Sequence, residues 1–424
     1  MSGHFTRRQV MKGTATVAAG LATASAMPRL GRAADEGVIK IGYVGALTGF
    51  LAAWGLPGYY GCQLLTEWYN KAGGIKVGND MYKLELVAYD DEFDPAKSLV
   101  GAKKLVLEDE VSFVIGSYAS PVRSMQQFLT DNKMVSTTLV QYDTAPEYPY
   151  LISVTEPYPY ENLAAGIWFT KAHPDLKKVA TCSQNDEVGI YGIASFNAIW
   201  ETAGMESVYT NIFGTDTTDV APIVSAMLAS KPDVMCWGGS WPDFINLLSE
   251  QAYLQGWRGP MIANTCDNYW KIIEKTSTEF LEGYTYPYPD FDDPMLQGPD
   301  INFPEPERFY KESEERWPGS WNAVSWLYAA NMVLWKAAVE AGGSYQPMDV
   351  LATLKAMDPM PLAFGPGKWR GMKENGIDNA AVGYWPAVEI KSGKGTIMEI
   401  VNLPPWLDEN LDVLLKQYEA LGLV

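Results

Sequence analysis

Apolar runs of strand length alternate with segments of helical periodicity over residues 38–116. A strand-like run is followed three times by a helical segment, which is the pattern of a parallel sheet with helices on both faces. Ligands bind such sheets at the loops that leave the carboxyl ends of the strands. Two of these loops, 47–55 and 116–121, are rich in small, hydroxylic and aromatic residues. The pattern therefore predicts that they form one wall of a binding cleft.

The same alternation begins again after residue 160. The runs KVATCSQ, SVYTNIFG, DVMCWGG and PMIANT are predicted strands, separated by predicted helices at 191–203, 220–230, 242–255 and 269–276. Residues 304–358 have helical periodicity, and YWPAVEIKSGKGTIMEIV is typical of a hairpin with a glycine-containing turn. The last twenty residues predict an amphipathic helix docked on the surface. We expect two similar halves, with the chain crossing near 155–160, 284–291 and 361–367.

Five segments resemble the branched-chain amino-acid type of periplasmic binding protein, the solute receptor of an ATP-driven (ABC) importer. They are GALTGFLAAWG, YDDEFDP, VIGSYAS, IYG and WGGSWPD, within a similarity that runs from about residue 38 to about 401. The resemblance implies an α/β fold of two lobes, the type I periplasmic binding fold, with parallel doubly wound sheets and a three-segment hinge. It places 35–156 and 288–362 in lobe one, and 157–287 and 363–424 in lobe two.

The resemblance also implies the positions of ligand-binding residues. In relatives, donors from two lobe-one loops hold the carboxylate of the solute, and aromatic residues and an acid of lobe two close on it. The matching donors here are Ser117, Ser120 and the loop of Thr138, Leu139 and Val140. Aromatic contacts are expected from Trp54, Tyr118, Tyr142, Tyr191 and Trp241, which suit a ring or a branched chain. Arg123 either neutralises a ligand carboxylate or is a solvated helix residue.

The match is weakest at the acid that takes the ammonium group of an amino acid. Relatives carry Glu after the strand that corresponds to PMIANT, where this chain has Thr265, with Asp267 two residues further along. A buried ammonium without a carboxylate partner is costly. If Asp267 reaches the cleft, the solute is an amino acid. If it does not, the solute has a carboxylate but no α-amine, and an aromatic or branched-chain acid is expected.

Composition excludes several other functions. The 424 residues carry a formal charge of −19, and removing the five basic residues of 1–33, which contain no acid, leaves −24 for the rest. So acidic a chain is not expected to bind nucleic acid. It has two histidines, His4 and His173, and no catalytic or zinc motif, so no enzyme activity, cofactor or metal is predicted. Relatives carry a disulfide near Phe93 and Tyr118, where this chain has no cysteine; Cys182 and Cys236 are expected to be buried free thiols.

Residues 1–33 predict an export signal. The string TRRQVMKG resembles a twin-arginine signal, and a short Gly/Ala/Thr-rich run follows it before small residues at Ala26 and Ala33 that suit cleavage. We therefore expect a periplasmic monomer that partners a small-molecule solute and an ABC permease, without inserting into the membrane. Two alternatives stay open: a cytoplasmic ligand-sensing regulator of the same fold, and an α/β hydrolase.

Overall fold

The computed structural model describes residues 37–49, 51–155, 158–266 and 268–423, and its first sheet has six strands. The strands lie in the order β2-β3-β1-β4-β5-β6, and all adjacent pairs are parallel except the β2–β3 hairpin. Their bounds are β1 Val38–Gly45, β2 Ile75–Val77, β3 Asp80–Asp90, β4 Val114–Ile115, β5 Ser136–Thr137 and β6 Leu151–Ile152. The apolar run of β1 is buried over nearly its whole length, because helices cover both faces of the sheet. We call the half built on this sheet lobe one.

A second sheet of seven strands forms the other half, lobe two. Its first five strands are β7 Lys178–Gln184, β8 Glu206–Phe213, β9 Val234–Trp237, β10 Met261–Ala263 and β11 Thr285–Tyr286. A small antiparallel sheet follows in the chain, with β12 Met360–Leu362, β13 Gly365–Arg370 and β14 Ala380–Val382. The predicted hairpin, β15 Tyr384–Lys391 and β16 Lys394–Asn402, then completes the second sheet beside β11, in the order β16-β15-β11-β10-β9-β7-β8.

Fourteen helices lie within the described ranges. Five belong to the first half of the chain: α1 Ala52–Lys71, α2 Pro95–Leu107, α3 Ala119–Asp131, α4 Glu161–Ala172 and α5 Glu187–Thr202. The others are α6 Ala221–Ala229, α7 Pro242–Leu254, α8 Tyr269–Lys275, α9 Thr278–Leu281, α10 Pro306–Arg316, α11 Ala323–Gly342, α12 Pro347–Ala356, α13 Met372–Asn375 and α14 Leu403–Ala420. Two short 3-10 helices occupy Gln141–Asp143 and Pro294–Gln297.

The chain passes between the two halves three times, as the two-lobe fold requires. It leaves lobe one after β6, returns so that α11 packs against α1, and re-enters lobe two with β15. The last helix, α14, is the predicted surface-docked helix and packs against α5. The α/β fold class predicted from the sequence is thereby confirmed, while the residue boundaries of the two lobes stay a prediction.

The predicted starts of three helices at the cleft were wrong, and all three were predicted too late in the chain. Three helices begin earlier than expected: α1 at Ala52, α3 at Ala119 and α5 at Glu187. Gly55 and Gly189, which are more typical of loops, lie in the first turns of α1 and α5, where an unsatisfied backbone N–H is normal. Between α3 and β6 the chain forms only the short strand β5 and a 3-10 turn. The cleft is therefore lined by helix beginnings more than by loops.

All four cysteines are buried free thiols, which confirms the prediction for Cys182 and Cys236. His173 is the C-cap residue of α4 and lines neither chamber of the cleft described below. Over the described ranges, the helices are too short or too polar for any of them to span a bilayer.

Candidate ligand-binding cleft

Two adjoining cavities lie between the lobes. The larger, which we call the outer chamber, has a volume of about 390 Å³, and the smaller inner chamber about 50 Å³. Trp54 and Tyr118 of lobe one and Trp241 and Pro242 of lobe two line both chambers. The inner chamber is otherwise lined by Leu139, Val140, Tyr158, Val188, Ser240, Asn264, Thr265 and Tyr288. This is the size and mixed apolar character of a site for a small organic molecule.

Trp54 is positioned by the first turn of α1 and the loop before it. Asp90, the last residue of β3, accepts hydrogen bonds from the backbone N–H of Leu47 (2.9 Å) and Thr48 (3.3 Å) and from the Thr48 hydroxyl (2.5 Å). Partial burial opposes ionisation of Asp90, but these hydrogen bonds outweigh it and lower its pKa. Gly55 lies so close to the Ala46 carbonyl that a Cβ would be 2.0 Å from its oxygen. The helix thus begins against the end of β1 and presents Trp54 to the cleft.

Trp241 faces the cleft at the start of α7 in lobe two. Trp241 is the N-cap residue, Pro242 is the first helical residue, and the Trp241 ring packs beside that of Phe244. The Gln184 side chain, at the end of β7, accepts a hydrogen bond from the Trp241 N–H (3.2 Å) and donates one to the Gly239 carbonyl (3.0 Å). Gln184 therefore fixes the loop that carries Trp241.

The lobe-one loop that the resemblance assigns to a ligand carboxylate is occupied by a carboxylate of the chain itself. The Asp143 side chain accepts hydrogen bonds from the Ala119 N–H (2.7 Å) and the Thr138 hydroxyl (2.8 Å), and its other oxygen lies 3.2 Å from Arg123. Asp143 is 2% exposed. Burial raises its pKa to about 6, although Arg123 and the hydrogen bonds oppose the rise.

The backbone of the second predicted loop is also engaged internally. The N–H of Thr138 donates to the Ile152 carbonyl (3.0 Å), and that of Leu139 to the Ser117 carbonyl (2.9 Å). The N–H of Val140 donates to the Thr138 hydroxyl (3.3 Å). None of these three donors is therefore left for a solute, and this wall offers the inner chamber the apolar side chains of Leu139 and Val140.

Lobe two supplies the uncharged polar groups of the inner chamber. Asn264 follows β10 and is 7% exposed, and its side-chain oxygen has no hydrogen-bond partner in the described part of the chain. Ser240 and Thr265 lie beside it in the same wall. The Tyr158 hydroxyl donates to the Val188 carbonyl. Among the described residues, none that lines the inner chamber carries a charge, whereas Asp243 and Lys271 line the outer chamber.

The lobes also touch beside the cleft. The rings of Tyr142 and Tyr191 are stacked, and the Arg123 guanidinium makes two hydrogen bonds of 2.8 Å to the Glu187 carboxylate. Arg123 is thus an inter-lobe ion-pair residue. Its place on α3 and its side-chain exposure of 34% agree with the second role considered for it from the sequence, that of a helix residue in contact with solvent. Arg123 lines neither chamber, and its role as a counter-charge for a ligand carboxylate stays a prediction.

The predicted binding residues divide into three groups by position. Five of them line the cleft, namely Trp54, Tyr118, Leu139, Val140 and Trp241. Five others belong to neither chamber: Ser117 and Thr138 are buried, Ser120 is exposed on α3, and Tyr142 and Tyr191 stack on each other. Asp267 lies outside the described residues. All eleven remain predictions as ligand contacts.

Sequence reasoning missed several lining residues, above all Asn264, Ser240 and Tyr288. Asn264 and Ser240 each follow a predicted strand, so the rule that ligands bind at carboxyl ends of strands would have found them. Gln184 and Asp143 act through other residues, and no sequence signal marks such a role.

Two α/β lobes joined by several crossings, with an aromatic-lined cleft between them, are the architecture of the type I periplasmic binding fold. A model of the periplasmic binding protein family matches residues 38–395, and the chain belongs to this family. The family is that of solute-binding proteins of ABC transporters and implies a periplasmic or extracellular location.

Curated relatives match part of the chain. The Leu/Ile/Val-binding protein BraC3 of Rhizobium johnstonii is 28% identical over 48% of this chain and 55% of its own length. The leucine-, isoleucine-, valine-, threonine- and alanine-binding protein of Pseudomonas aeruginosa is 27% identical over 51% and 58%. The chain thus spans little more than half the length of these relatives.

Solved structures share the fold over most of the chain. The leucine-binding protein LivK of Thermotoga maritima has a TM-score of 0.67 at 18% identity, covering 87% of this chain and 99% of its own. A solute-binding protein of R. palustris in complex with benzoate has a TM-score of 0.64 at 17% identity, covering 87% and 97%. These identities support the fold and do not transfer a ligand.

Proposed function

We propose that this protein is the substrate-binding component of an ABC importer, which closes its lobes over a small solute and delivers it to a membrane permease. The observation that carries the proposal is the cleft itself, in which Trp54 of lobe one and Trp241 of lobe two line the same two chambers. A solute between these rings would touch both lobes and favour their closure. The protein would act as a monomer and would catalyse no reaction of the solute.

The proposed solute has a planar or branched apolar part. Five aromatic side chains of the described residues line the inner chamber, and flat walls of this kind suit a ring or a branched chain: Trp54, Tyr118, Tyr158, Trp241 and Tyr288. The carboxylate that the sequence predicts on the solute has weaker support, because Asp143 engages donors of the loop expected to bind it. The aromatic or branched part of the solute is therefore better supported by the structure of the cleft than its carboxylate is.

A thermal-shift screen tests this proposal directly. The purified protein is heated with aromatic and branched-chain carboxylates, their amides, and the corresponding amino acids. Binding of a solute at 100 times its Kd stabilises the folded protein by about 2.7 kcal/mol, which raises the melting temperature by several degrees. Trp54→Ala and Trp241→Ala should abolish the shift, whereas Trp406→Ala on α14, outside both chambers, should not. The absence of any shift across the panel would contradict the proposal.

We also propose that residues 1–33 direct export in the folded state through the twin-arginine pathway. The support is the Arg7–Arg8 pair in front of a short, weakly apolar run. Replacing both arginines by lysine keeps the charge, so a simple basic tail would behave as before. Retention of the double variant in the cytoplasm, with the native chain found in the periplasm, is the expected result. Equal export of both would exclude this route.

A further inference from the structure

A buried carboxylate lies directly behind the lobe-one wall of the inner chamber. The Asp143 carboxylate accepts hydrogen bonds from the Ala119 N–H and from the Thr138 hydroxyl. Both donors adjoin residues of the chamber wall, because Ala119 follows Tyr118 and Thr138 precedes Leu139. Asp143 comes from the 3-10 turn Gln141–Asp143, which folds the carboxylate back onto Thr138. The anion that these lobe-one donors bind is thus the Asp143 carboxylate of the protein itself.

The charge of this carboxylate is only partly balanced. Arg123 lies 3.2 Å from Asp143, but the same guanidinium also forms both of its 2.8 Å hydrogen bonds with Glu187. Two carboxylates therefore share one cation. A ligand carboxylate placed against Leu139 and Val140 would meet a negative cluster and three backbone N–H groups that are already bonded. Such a placement is unfavourable in a site with little water.

The described lining of the outer chamber offers no net positive charge that would attract a ligand carboxylate. Among the described residues, Asp243 and Lys271 line it with one charge of each sign. By contrast, lobe two offers the inner chamber the Asn264 amide, whose buried oxygen lacks a partner among the described residues. A buried acceptor of this kind favours a ligand that donates a hydrogen bond to it, because otherwise it stays unpaired.

We propose that the cleft selects an uncharged solute, with its apolar part against lobe one and a hydrogen-bond donor on Asn264, and that Asp143 disfavours the corresponding carboxylate. The ligand class is a small aromatic or branched-chain amide or alcohol. This inference rests on the proposed function, since it describes the specificity of the same cleft. Asp143 and Asn264 are its two specificity-determining residues.

Matched acid and amide pairs test the inference by calorimetry. Benzoate with benzamide, and isovalerate with isovaleramide, differ in charge at nearly constant shape. The native protein should bind an amide at least about tenfold more tightly than its acid, as sites with unpaired polar groups discriminate strongly. Asp143→Asn should reduce this ratio about tenfold by strengthening binding of the acid. Asp131→Asn, the same change at an exposed residue at the end of α3, should leave the ratio unchanged. Asn264→Leu should weaken amide binding about tenfold.

The outcomes separate the two proposals. An acid that binds the native protein more tightly than its amide overturns the selection for uncharged solutes but leaves the receptor function intact. Because the ratio of amide affinity to acid affinity is measured on the native protein, it tests the selection for uncharged solutes even where a variant fails to fold. If no acid, amide or amino acid binds the native protein or the Asp143→Asn variant, the receptor function fails, and the inference fails with it.

Discussion

The rings of Tyr142 and Tyr191 stack face to face from opposite lobes, with centroids 4.1 Å apart and planes 2° from parallel. Both had been expected to contact the solute, but each ring covers the other, and Tyr191 also packs edge-on against Tyr418 of α14. The contact joins the two lobes beside the cleft. We therefore expect it to stabilise the arrangement in which the lobes lie together, whether or not a solute lies in the neighbouring cleft.

Removal of this contact should open the protein. An aromatic pair contributes about 0.5–1.5 kcal/mol beyond its buried area. Tyr191→Ala should therefore shift the solute-free protein toward the open form, seen as a larger radius of gyration by small-angle scattering, and should weaken solute binding severalfold. Tyr209→Ala, on β8 and outside both chambers, is the matched control and should change neither. A radius unchanged in the Tyr191 variant would mean that the stack has no part in closure.

The two carboxylates at Arg123 should differ in what they contribute to stability. Glu187 is about half exposed, and exposed ion pairs contribute only about 0.2–1 kcal/mol. Asp143 is fully buried, and a buried charge that loses its partner costs about 3–5 kcal/mol. Arg123→Ala should therefore lower the free energy of unfolding in urea by clearly more than Glu187→Gln does.

An exposed pair provides the reference for this comparison. Glu307 and Lys311 form an ion pair one turn apart on α10, and Glu307→Gln should change the free energy of unfolding by less than about 0.5 kcal/mol. Equal effects of Arg123→Ala and Glu187→Gln would show that Asp143 does not depend on the guanidinium.

The stability of the protein should also depend on pH through Asp143. Burial raises its pKa from 3.8 to about 6, with Arg123 and the hydrogen bonds opposing the rise, so the folded protein binds a proton more tightly than the unfolded chain does. The stability contributed by this group is therefore greatest below about pH 4 and declines as pH rises to about 6, by at most about 3 kcal/mol. Among the described residues, the other titratable groups that interact with it are Arg123, Glu187, Tyr142 and Tyr191.

The Asp143→Asn variant isolates this contribution. The difference in unfolding free energy between native protein and variant, measured by urea titration from pH 4.5 to 8, should change in favour of the variant as pH rises through 6. Asp131→Asn should give a difference that does not vary with pH over the same interval. A constant difference for Asp143→Asn as well would mean that burial does not raise the pKa of this carboxyl.

The sequence was sufficient to predict the fold and part of the cleft. Parallel strands place their carboxyl ends at one edge of the sheet, so Tyr118 could be assigned to the cleft from its position, while the family resemblance assigned Trp241. The same rule on strand ends would have found Asn264 and Ser240, which were missed.

The direction of a side chain depends on the exact turn that carries it, and the sequence does not give that turn. Tyr142 lies in a 3-10 turn, and Tyr191 lies in the second turn of α5, which begins at Glu187. Both were expected to contact the solute, and in the structure they stack on each other.

Asp143 shows a second limit of prediction from sequence. Its role depends on a 3-10 turn of three residues and on contacts with Ala119, twenty-four positions earlier in the chain. Neither periodicity nor composition encodes a contact of this kind. The family resemblance even pointed in the opposite direction, since it assigned Thr138, one of the two donors to Asp143, to the solute.

A last prediction concerns the close approach that positions Trp54. The Tyr43 hydroxyl donates to the Gly55 carbonyl (2.6 Å), and a Cβ on Gly55 would lie 2.0 Å from the Ala46 carbonyl oxygen. Backbone atoms cannot give way as a flexible side chain can, so Gly55→Ala must displace α1 from β1. We expect a loss of about 1–3 kcal/mol in unfolding free energy, as for other overpacked sites, and weaker solute binding because Trp54 moves with the helix. Gly298→Ala is the matched control: its Cβ would meet nothing closer than 3.7 Å, and both quantities should stay near the native values. A Gly55→Ala variant as stable as the native protein would show that the helix can begin elsewhere, and the position of Trp54 would then not depend on this contact.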